Sequence, residues 1–339
     1  MRLILGSFRE AKNALGETNT FFRMTKMVRF EDLQVFVAAA DAGSFSAASR
    51  VLNVTPAVAS TAMKRLEQAL EVRLFIRSTR SLRLTDEGER YLVHARLALR
   101  ALEDGRMTVA RRKGDLTGTL KLSVPSDFGR NVLLPWLDEF QSTFPKLTVQ
   151  LRVSDRVADL YRQPVDVAIR YGTLEDSALV SQPLAPTNRR VLCAAPAYLA
   201  RHGAPETLEG LRRHNCLRFT LGDGVHDRWS FQGPKGLEVI TVDGNRFCDD
   251  ADVVRRWALA GQGIVYKSFL DLAGDLKAGR LVPLLPAYKG EPTPLQLVCA
   301  HRSLLSPAVG RLRDFLKARC EALLATMEAL LAPPTAPRR

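Results

Sequence analysis

The fold of the N-terminal part is decided by residues 43–60, which read Gly43-Ser-Phe-Ser-Ala-Ala-Ser-Arg-Val-Leu-Asn-Val-Thr-Pro-Ala-Val-Ala-Ser60. Gly43 is a typical residue at a helix end, and Ser46 is a candidate N-cap for the next helix. A short turn then leads to Thr55, a second N-cap candidate. Pro56 follows at the first helical position, where its missing N–H costs nothing. The stretch therefore predicts two helices joined by a tight turn.

The helix that begins at Pro56 has two different faces. Its apolar stripe repeats every three or four residues, as in a helix that packs on a core, and consists of Ala59, Met63, Leu66 and Leu70. The opposite stripe is small and polar and consists of Ala57, Ser60, Thr61 and Lys64. Small side chains let a helix approach base edges in the major groove of DNA, which is about 12 Å wide and admits one helix.

A basic hairpin is predicted next. The segments 72–77 and 82–84 are apolar and flank a polar tip, which is typical of a β-hairpin. Its four arginines, with no acid between them, are Arg73, Arg77, Arg80 and Arg83. Such a loop can hold the DNA backbone or enter the minor groove. With an earlier helix from Phe30, the pattern predicts a winged helix-turn-helix domain over residues 27–84. A surface helical domain with a solvated basic loop is the alternative.

A long helix is predicted over residues 85–113. Thr85 is a suitable N-cap, and acidic residues follow it in the first turn, where they favour a helix. The apolar face consists of Tyr91, Leu92, Ala95, Leu99 and Leu102. A helix of this length exceeds the usual globular length, and much of its apolar face needs a partner. We expect a linker that dimerises, with a core helix of one domain as the alternative.

Strands and helices alternate from residue 117 onwards. Strands are predicted at 120–124, 147–153, 165–170, 190–194 and 295–300, and helices begin near Phe128, Pro196 and Pro307. This order predicts an α/β domain over residues 117–331 with a mostly parallel sheet, or two. Residues 1–26 lack periodicity, which favours a flexible arm or an over-called start. The Pro- and Arg-rich residues 332–339 are predicted to be disordered.

Composition and motifs narrow the class of protein. The 339 residues include 49 Lys and Arg against 36 Asp and Glu, a net charge of +13 that favours a polyanionic partner. Five scattered cysteines without a C-x-x-C motif argue against a disulfide framework and fit a reducing cytoplasm. No apolar run approaches the roughly 20 residues that span a bilayer, so no membrane contact is expected. The common hydrolase, zinc-protease and P-loop motifs are absent, so no catalytic residue, metal or cofactor is predicted.

These residues resemble the LysR family of bacterial transcriptional regulators. The opening Phe30-Glu-Asp-Leu-Gln-Val-Phe36, the stretch 43–60 and the wing 72–80 look like the family's DNA-binding domain. One departure is Val58-Ala59, where the family usually has Ala then Val. We expect this exchange to shrink a core position and to leave the DNA face unchanged. The predicted DNA contacts are Ser46, Thr55, Pro56, Ala57, Ser60, Thr61, Lys64, Arg65, Arg77, Thr79 and Arg80.

The second half resembles the family's two-lobed effector domain, which is similar to periplasmic binding proteins. The hallmarks are 120–126, 166–170, 260–264 and 276–282, and 190–199 with 267–268 look most like CrgA-like effector domains. The resemblance implies an effector between the lobes, with an organic anion as a candidate, and points to Ser126, Phe128, Arg170 and Lys267 as contacts. Ser126 begins a helix whose N–H groups favour an anion, although it could serve only as an N-cap. A salt bridge for Arg170 and a solvated Lys267 are the alternatives there.

The resemblance also predicts the partners. It implies double-stranded promoter or operator DNA, a small-molecule effector, and self-association into a dimer or tetramer, and it allows RNA polymerase as a further partner. Two alternatives belong to other classes of protein. A solute-binding protein for transport would need export, for which the sequence shows no signal. A DNA-architectural protein without ligand control would leave the large second half without a role.

Overall fold

Two units make up the chain, Met1–Val109 and Ala110–Arg339. The computed structural model describes residues 28–77, 82–110, 116–155, 165–173, 179–221, 224–299 and 306–332. No helix within these ranges is both long enough and apolar enough to cross a membrane. All five cysteines are free thiols.

The first unit is a winged helix-turn-helix followed by a long helix, as predicted. Its elements are α1 (Phe30–Ala42), α2 (Phe45–Val51), α3 (Pro56–Leu70), β1 (Phe75–Arg77), β2 (Leu82–Leu84) and α4 (Asp86–Ala110). The hairpin strands are antiparallel, with Phe75 opposite Leu84. The predicted arm 1–26 and residues 111–113 of the predicted linker lie outside the described residues.

The caps of α1 and α3 follow the prediction, whereas the cap of α2 does not. Gly43 ends α1 in the left-handed conformation, with φ of 61°. The Thr55 side chain caps α3 by accepting the Val58 N–H at 3.3 Å. The prediction that Ser46 caps α2 is wrong. The chain becomes extended at Ser44 directly after Gly43, and the Ser44 hydroxyl takes the cap by accepting the Ala47 N–H at 3.4 Å.

The larger of the two apolar clusters in the described part of the first unit joins its helices to the hairpin. Its buried members are Leu33, Phe36, Ala39, Ala48, Met63, Leu66, Leu74, Phe75, Leu92 and Ala95. Leu92 and Ala95 belong to α4, so part of the face predicted to dimerise is used inside the chain's own core. Leu102, further along the same helix, is 57% exposed and remains available to a partner.

The start of α4 makes close contacts with the backbone of the two residues that precede β1. Thr85 caps α4 by accepting the Gly88 N–H at 2.9 Å, and its hydroxyl donates to the Arg73 carbonyl at 2.7 Å. A Cβ atom on Gly88 would lie 2.1 Å from the Leu74 carbonyl oxygen. Only glycine therefore lets α4 approach Leu74 this closely.

The second unit contains two lobes. Lobe 1 has a five-stranded sheet of order β4-β3-β5-β16-β6. Its elements are β3 (Gly118–Val124), β4 (Leu147–Val153), β5 (Val167–Tyr171), β6 (Val180–Ala185), β16 (Leu295–Cys299) and α10 (Pro307–Leu324). A continuous helical run covers one end of this sheet, and it comprises α5 (Ser126–Phe128), a π-helical segment (Gly129–Leu133) and α6 (Leu134–Thr143).

Lobe 2 has a six-stranded sheet of order β12-β8-β13-β7-β14, with β9 paired to β8, and a smaller sheet of order β11-β10-β15. The strands are β7 (Arg190–Ala194), β8 (Cys216–Leu221), β9 (Gly224–Val225), β10 (Arg228–Gly233), β11 (Gly236–Thr241), β12 (Phe247–Cys248), β13 (Ile264–Ser268), β14 (Val282–Pro283) and β15 (Lys289–Gly290). The helices are α7 (Pro196–His202), a 3₁₀ turn (Glu209–Arg213), α8 (Ala251–Leu259), α9 (Phe269–Lys277) and α11 (Met327–Leu331).

Both large sheets are mostly parallel in strand direction, as predicted, although each is mixed. In the described residues the reversed strands are β16 in lobe 1 and β7 and β9 in lobe 2. The pairs β3–β4, β3–β5, β12–β8 and β13–β8 are parallel, whereas β16–β5, β16–β6, β13–β7 and β14–β7 are antiparallel. Parallel neighbours need a long crossover between them. The chain instead passes directly from β6 to β7 and from β15 to β16, and the strands at these two crossings run against their neighbours.

The two crossings between the lobes are joined to each other by Asn188. Its side-chain amide donates to the Thr293 carbonyl at 2.7 Å and to the Ser268 hydroxyl at 2.9 Å. The Asn188 carbonyl also accepts the Thr293 N–H at 2.9 Å. This buried side chain therefore fixes the connection that any relative movement of the lobes must bend.

The C-terminal helices contact both lobes. Phe315 of α10 packs against Phe140 of lobe 1 with ring centroids 5.5 Å apart. Met327 of α11 lies in the buried core of lobe 2. The long apolar C-terminal segment, which had no assigned role from sequence, thus spans the second unit.

We predict that Glu67 stabilises the first unit through buried hydrogen bonds. Its carboxylate accepts the Leu74 N–H at 2.8 Å and the Phe75 N–H at 3.3 Å, so Glu67→Ala leaves two buried donors unpaired. We expect a loss of about 2 kcal/mol in the free energy of unfolding, measured by denaturant titration with amide exchange at Leu74 and Phe75. Glu67→Gln keeps an acceptor and should lose less; an equal loss in both variants would contradict this role.

Candidate functional site

The exposed face of α3 carries the predicted small and polar stripe. Ala57, Thr61 and Lys64 are exposed and Ser60 is half-buried. Ala59, Met63 and Leu66 on the opposite face are fully buried. The two-faced pattern expected from the sequence is therefore present, and α3 offers its small side chains to solvent along its length.

The structure describes some of the other predicted DNA contacts and not others. Ser46, Thr55 and Pro56 are exposed. Arg77 ends β1, while the predicted contacts Thr79 and Arg80 at the wing tip lie outside the described residues.

Arg65 is a predicted DNA contact that forms an internal ion pair. Its Nε donates to Asp32 Oδ2 at 2.7 Å, and its Nη2 donates to Asp32 Oδ1. Asp32 is 1% exposed, and this hydrogen bond raises the pKa of Arg65. Arg65 therefore joins α3 to α1, and sequence spacing could not show it because the partner lies 33 residues away.

A small cavity lies between the two lobes of the second unit. Lobe 1 lines it with Ser126, Val153, Ser154 and Asp155, and lobe 2 with Asp249 and Asp250. Its volume is about 190 Å³, below the range of about 300–1,000 Å³ that is usual for drug-sized ligands. The cavity therefore suits a small polar molecule, and of the four predicted effector contacts it is lined by Ser126 alone.

Ser126 is almost fully buried and makes contacts to both lobes. Its N–H donates to Asp155 Oδ1 at 2.7 Å, and its hydroxyl donates to Asp155 Oδ2. The same hydroxyl accepts the Asp252 N–H of lobe 2 at 3.3 Å. The start of a helix favours a negatively charged group. Here the chain's own Asp155 carboxylate occupies that position.

The other three predicted effector contacts do not line the cavity. Phe128 is fully buried and packs edge-on against Trp136 and Tyr171. Arg170 donates to the Ile169 carbonyl at 2.7 Å and to the Ser123 hydroxyl at 2.6 Å. Burial lowers the pKa of Arg170 to about 10. Within the described residues no carboxylate lies at ion-pair distance from this guanidinium, so the alternative of a salt bridge is not seen there.

Lys267 belongs to a buried charge cluster at the lobe interface. Its Nζ lies 2.8 Å from Asp127 Oδ2 of lobe 1 and 3.6 Å from Asp271 Oδ2, and it donates to the Ala251 carbonyl at 3.0 Å. Lys267 is 2% exposed and Asp127 1%. The side chain is therefore neither solvated nor open to the cavity in this closed arrangement.

Two further hydrogen bonds extend this cluster across the interface. The Tyr171 hydroxyl of lobe 1 donates to Asp271 Oδ1 at 2.6 Å. The Asn131 amide of lobe 1 donates to Asp252 Oδ1 at 2.7 Å. Burial and then the neighbouring Asp271 charge raise the pKa of Asp127 to about 7, against the lowering effect of Lys267. Sequence reasoning missed Asp127 and Asp155, whose signal was the position of an acidic residue just after a strand end.

Two regions of the chain match the two domains of one known family. Residues 30–89 match the bacterial regulatory helix-turn-helix protein, lysR family, and residues 113–321 match the LysR substrate binding domain. The chain belongs to the LysR family.

Individual relatives support the same assignment. The regulator DmlR of Escherichia coli strain K12 is 33% identical over 294 residues, which cover 87% of this chain and 95% of the relative. The activator TtdR of the same strain is 33% identical over 76% of this chain and 83% of its own length. The solved structure of CrgA, a LysR-type regulator from Neisseria meningitidis, is 30% identical, covers 86% of this chain and 98% of its own, and has a TM-score of 0.54. This LysR-family chain is therefore a DNA-binding transcriptional regulator with an effector-binding domain.

The LysR-family departure at Val58-Ala59 changes the surface of α3. Ala59 is fully buried, as expected for a reduced core position, but Val58 is 53% exposed. Val58 lies three residues before Thr61 and so shares its helix face. The expectation that the exchange leaves this face unchanged is wrong, because it adds an exposed apolar side chain there.

We predict that Lys64 and Arg65 act differently although they are adjacent. Lys64→Ala removes an exposed charge and should weaken binding to all DNA sequences, with the slope of log affinity against log salt reduced by about 1. Arg65→Ala leaves the buried Asp32 carboxylate unpaired and should lower the thermal midpoint. Fluorescence anisotropy at several salt concentrations and thermal unfolding check the pair. Equal midpoints for the two variants would argue against the structural role of Arg65.

We predict that Asp127 makes stability depend on pH. Its pKa is raised from 3.8 to about 7, so the folded state holds more protons than the unfolded chain in that interval. The free energy of unfolding should then fall as the pH rises from about 4 to about 7. Asp127→Asn should flatten this dependence in thermal unfolding of the full chain. Parallel pH profiles for the two proteins would show that Asp127 does not titrate in this way.

Proposed function

We propose that α3 reads an operator in the major groove and that an organic anion bound between the lobes controls this activity. The observation that carries the proposal is the exposed stripe Ala57, Thr61 and Lys64 opposite the buried stripe of α3. Small and hydroxyl side chains contact base edges, and lysine contacts phosphates. The proposed contacts also include Ser46, Thr55, Pro56 and Ser60, and the wing residues Arg77, Thr79 and Arg80 are proposed to hold the DNA backbone.

The effector is proposed to bind at the cavity lined by Ser126, Asp155 and Asp250. Phe128, Arg170 and Lys267 do not line the cavity and are proposed to act as packing and charged groups. The relatives are transcriptional regulators, which supports a binding role without catalysis for this chain. We propose that the exposed part of α4 pairs two copies, that further pairing gives a dimer or tetramer acting on cytoplasmic DNA, and that RNA polymerase is contacted there.

Binding of fragmented genomic DNA tests the regulatory role. Purified full-length protein is used to recover DNA from its host, and the recovered fragments are sequenced. Sharp enrichment at a few intergenic sites is expected. Uniform recovery over a range of salt concentrations would instead favour the DNA-architectural alternative. Thermal shift with a panel of small carboxylic acids tests ligand control, because a ligand of the folded state raises the midpoint.

We predict that the wing and α3 make separable contributions to DNA binding. The double variant Arg77→Ala with Arg80→Ala should weaken binding to all sequences and flatten the salt dependence. Thr61→Ala should instead change site preference, by about 1–3 kcal/mol for each good hydrogen bond to a base that it removes. Competition binding with enriched and scrambled fragments distinguishes the two. A wing variant that binds as tightly as the parent at every salt concentration would exclude the wing as a DNA contact.

A further inference from the structure

The carboxylate of Asp155 joins the two lobes at the cavity. Asp155 follows β4 of lobe 1 and accepts the Ser126 N–H at 2.7 Å together with the Ser126 hydroxyl. It also accepts the Ala251 N–H of lobe 2 at 2.8 Å. Two donors from one lobe and one from the other therefore converge on one acidic group.

Burial and further hydrogen bonds hold the donors around Asp155 in place, so they form a defined carboxylate-binding site. Ser126 is 2% exposed, and its side-chain oxygen also accepts the Asp252 N–H of lobe 2 at 3.3 Å. Asp250 caps its own helix by accepting the Asp252 and Val253 N–H groups. The Ala251 N–H at this helix start is thereby left for Asp155.

The charge of the cavity determines what can enter it. With Asp155 in place, three carboxylates line it, since Asp249 and Asp250 face it from lobe 2. A second anion would be repelled there. Asp155 fills a carboxylate position on which donors converge from both lobes, Ser126 from lobe 1 and Ala251 from lobe 2. The carboxylate of Asp250 is engaged separately, by Arg130 of lobe 1 at 2.8 Å and by its own helix start. An anionic effector therefore gains those hydrogen bonds by replacing Asp155.

Arg170 favours an anion at the same place. This guanidinium is half-buried and donates to a backbone carbonyl and to the Ser123 hydroxyl. The Asp155 charge stabilises its protonated form. If Asp155 leaves, the positive charge remains and attracts a replacement carboxylate.

We propose that Asp155 is an internal substitute for the carboxylate of the effector: it latches the two lobes together, and a carboxylate-bearing effector displaces it. This inference rests on the proposed effector site and names the ligand chemistry and the competing group. Effector binding then exchanges an internal contact for a ligand contact.

Chemical rescue of Asp155→Ala with acetate tests the latch in the full-length protein without DNA. The variant should lower the thermal midpoint by about 5 °C, and acetate should restore it in a saturable manner. Sodium chloride at equal ionic strength and neutral acetamide should not restore it. The matched control Asp138→Ala removes an exposed carboxylate from α6 of the same lobe and should show neither the loss nor the rescue.

The outcomes separate the latch from the regulatory role. A folded Asp155→Ala protein that acetate does not stabilise, or a parent protein that acetate stabilises equally, overturns the proposal. If Asp155→Ala does not fold, Asp155→Asn keeps the shape and removes the charge. It should speed amide exchange at Ser126 and Ala251, and unchanged exchange there would overturn the latch. Neither readout uses DNA, so failure of operator binding would not bear on the role of Asp155.

Discussion

The closed arrangement of the second unit depends on pairing the charges that closure buries. A carboxylate taken out of water without a partner costs several kcal/mol. Across the lobe interface, Asp127 meets Lys267, and the Tyr171 hydroxyl meets Asp271. These contacts favour one relative position of the lobes over neighbouring ones, because small displacements leave charges unpaired. A ligand can alter that position only by its different affinity for the open and closed forms.

Sequence periodicity predicted the first unit well, because each side chain's role there follows from its position on a helix. The stripes of α3, the cap at Thr55 and the glycine that ends α1 all depend on neighbours within four residues. The errors concern a partner that is distant in sequence and an N-cap displaced by two residues. Ser44 caps α2 in place of Ser46, and Arg65 pairs with Asp32, which is remote in sequence. Neither choice is encoded in spacing alone.

The second unit was harder to predict because its site depends on where separate strands end. The predicted strands 147–153 and 190–194 match β4 and β7, whereas the hairpin β10–β11 was missed among loops. Ser126 was predicted from its place at a strand end, and it does line the cavity. Asp155 was not, since a lone acid after a strand looks like any loop residue until the opposite lobe supplies its donor.

The close contact of Gly88 with Leu74 fixes the start of α4 against the winged domain. The 25 residues of α4 then form a lever arm, about 37 Å long at 1.5 Å per residue. A rotation of about 10° at one end displaces the other by about 6 Å, which is more than one turn of a helix. Angular changes too small to disturb any packed core could therefore shift the winged domain by more than the rise of about 3.4 Å between neighbouring base pairs. An alanine at position 88 would force α4 away from Leu74, so the orientation of the helix relative to the winged domain would no longer be fixed.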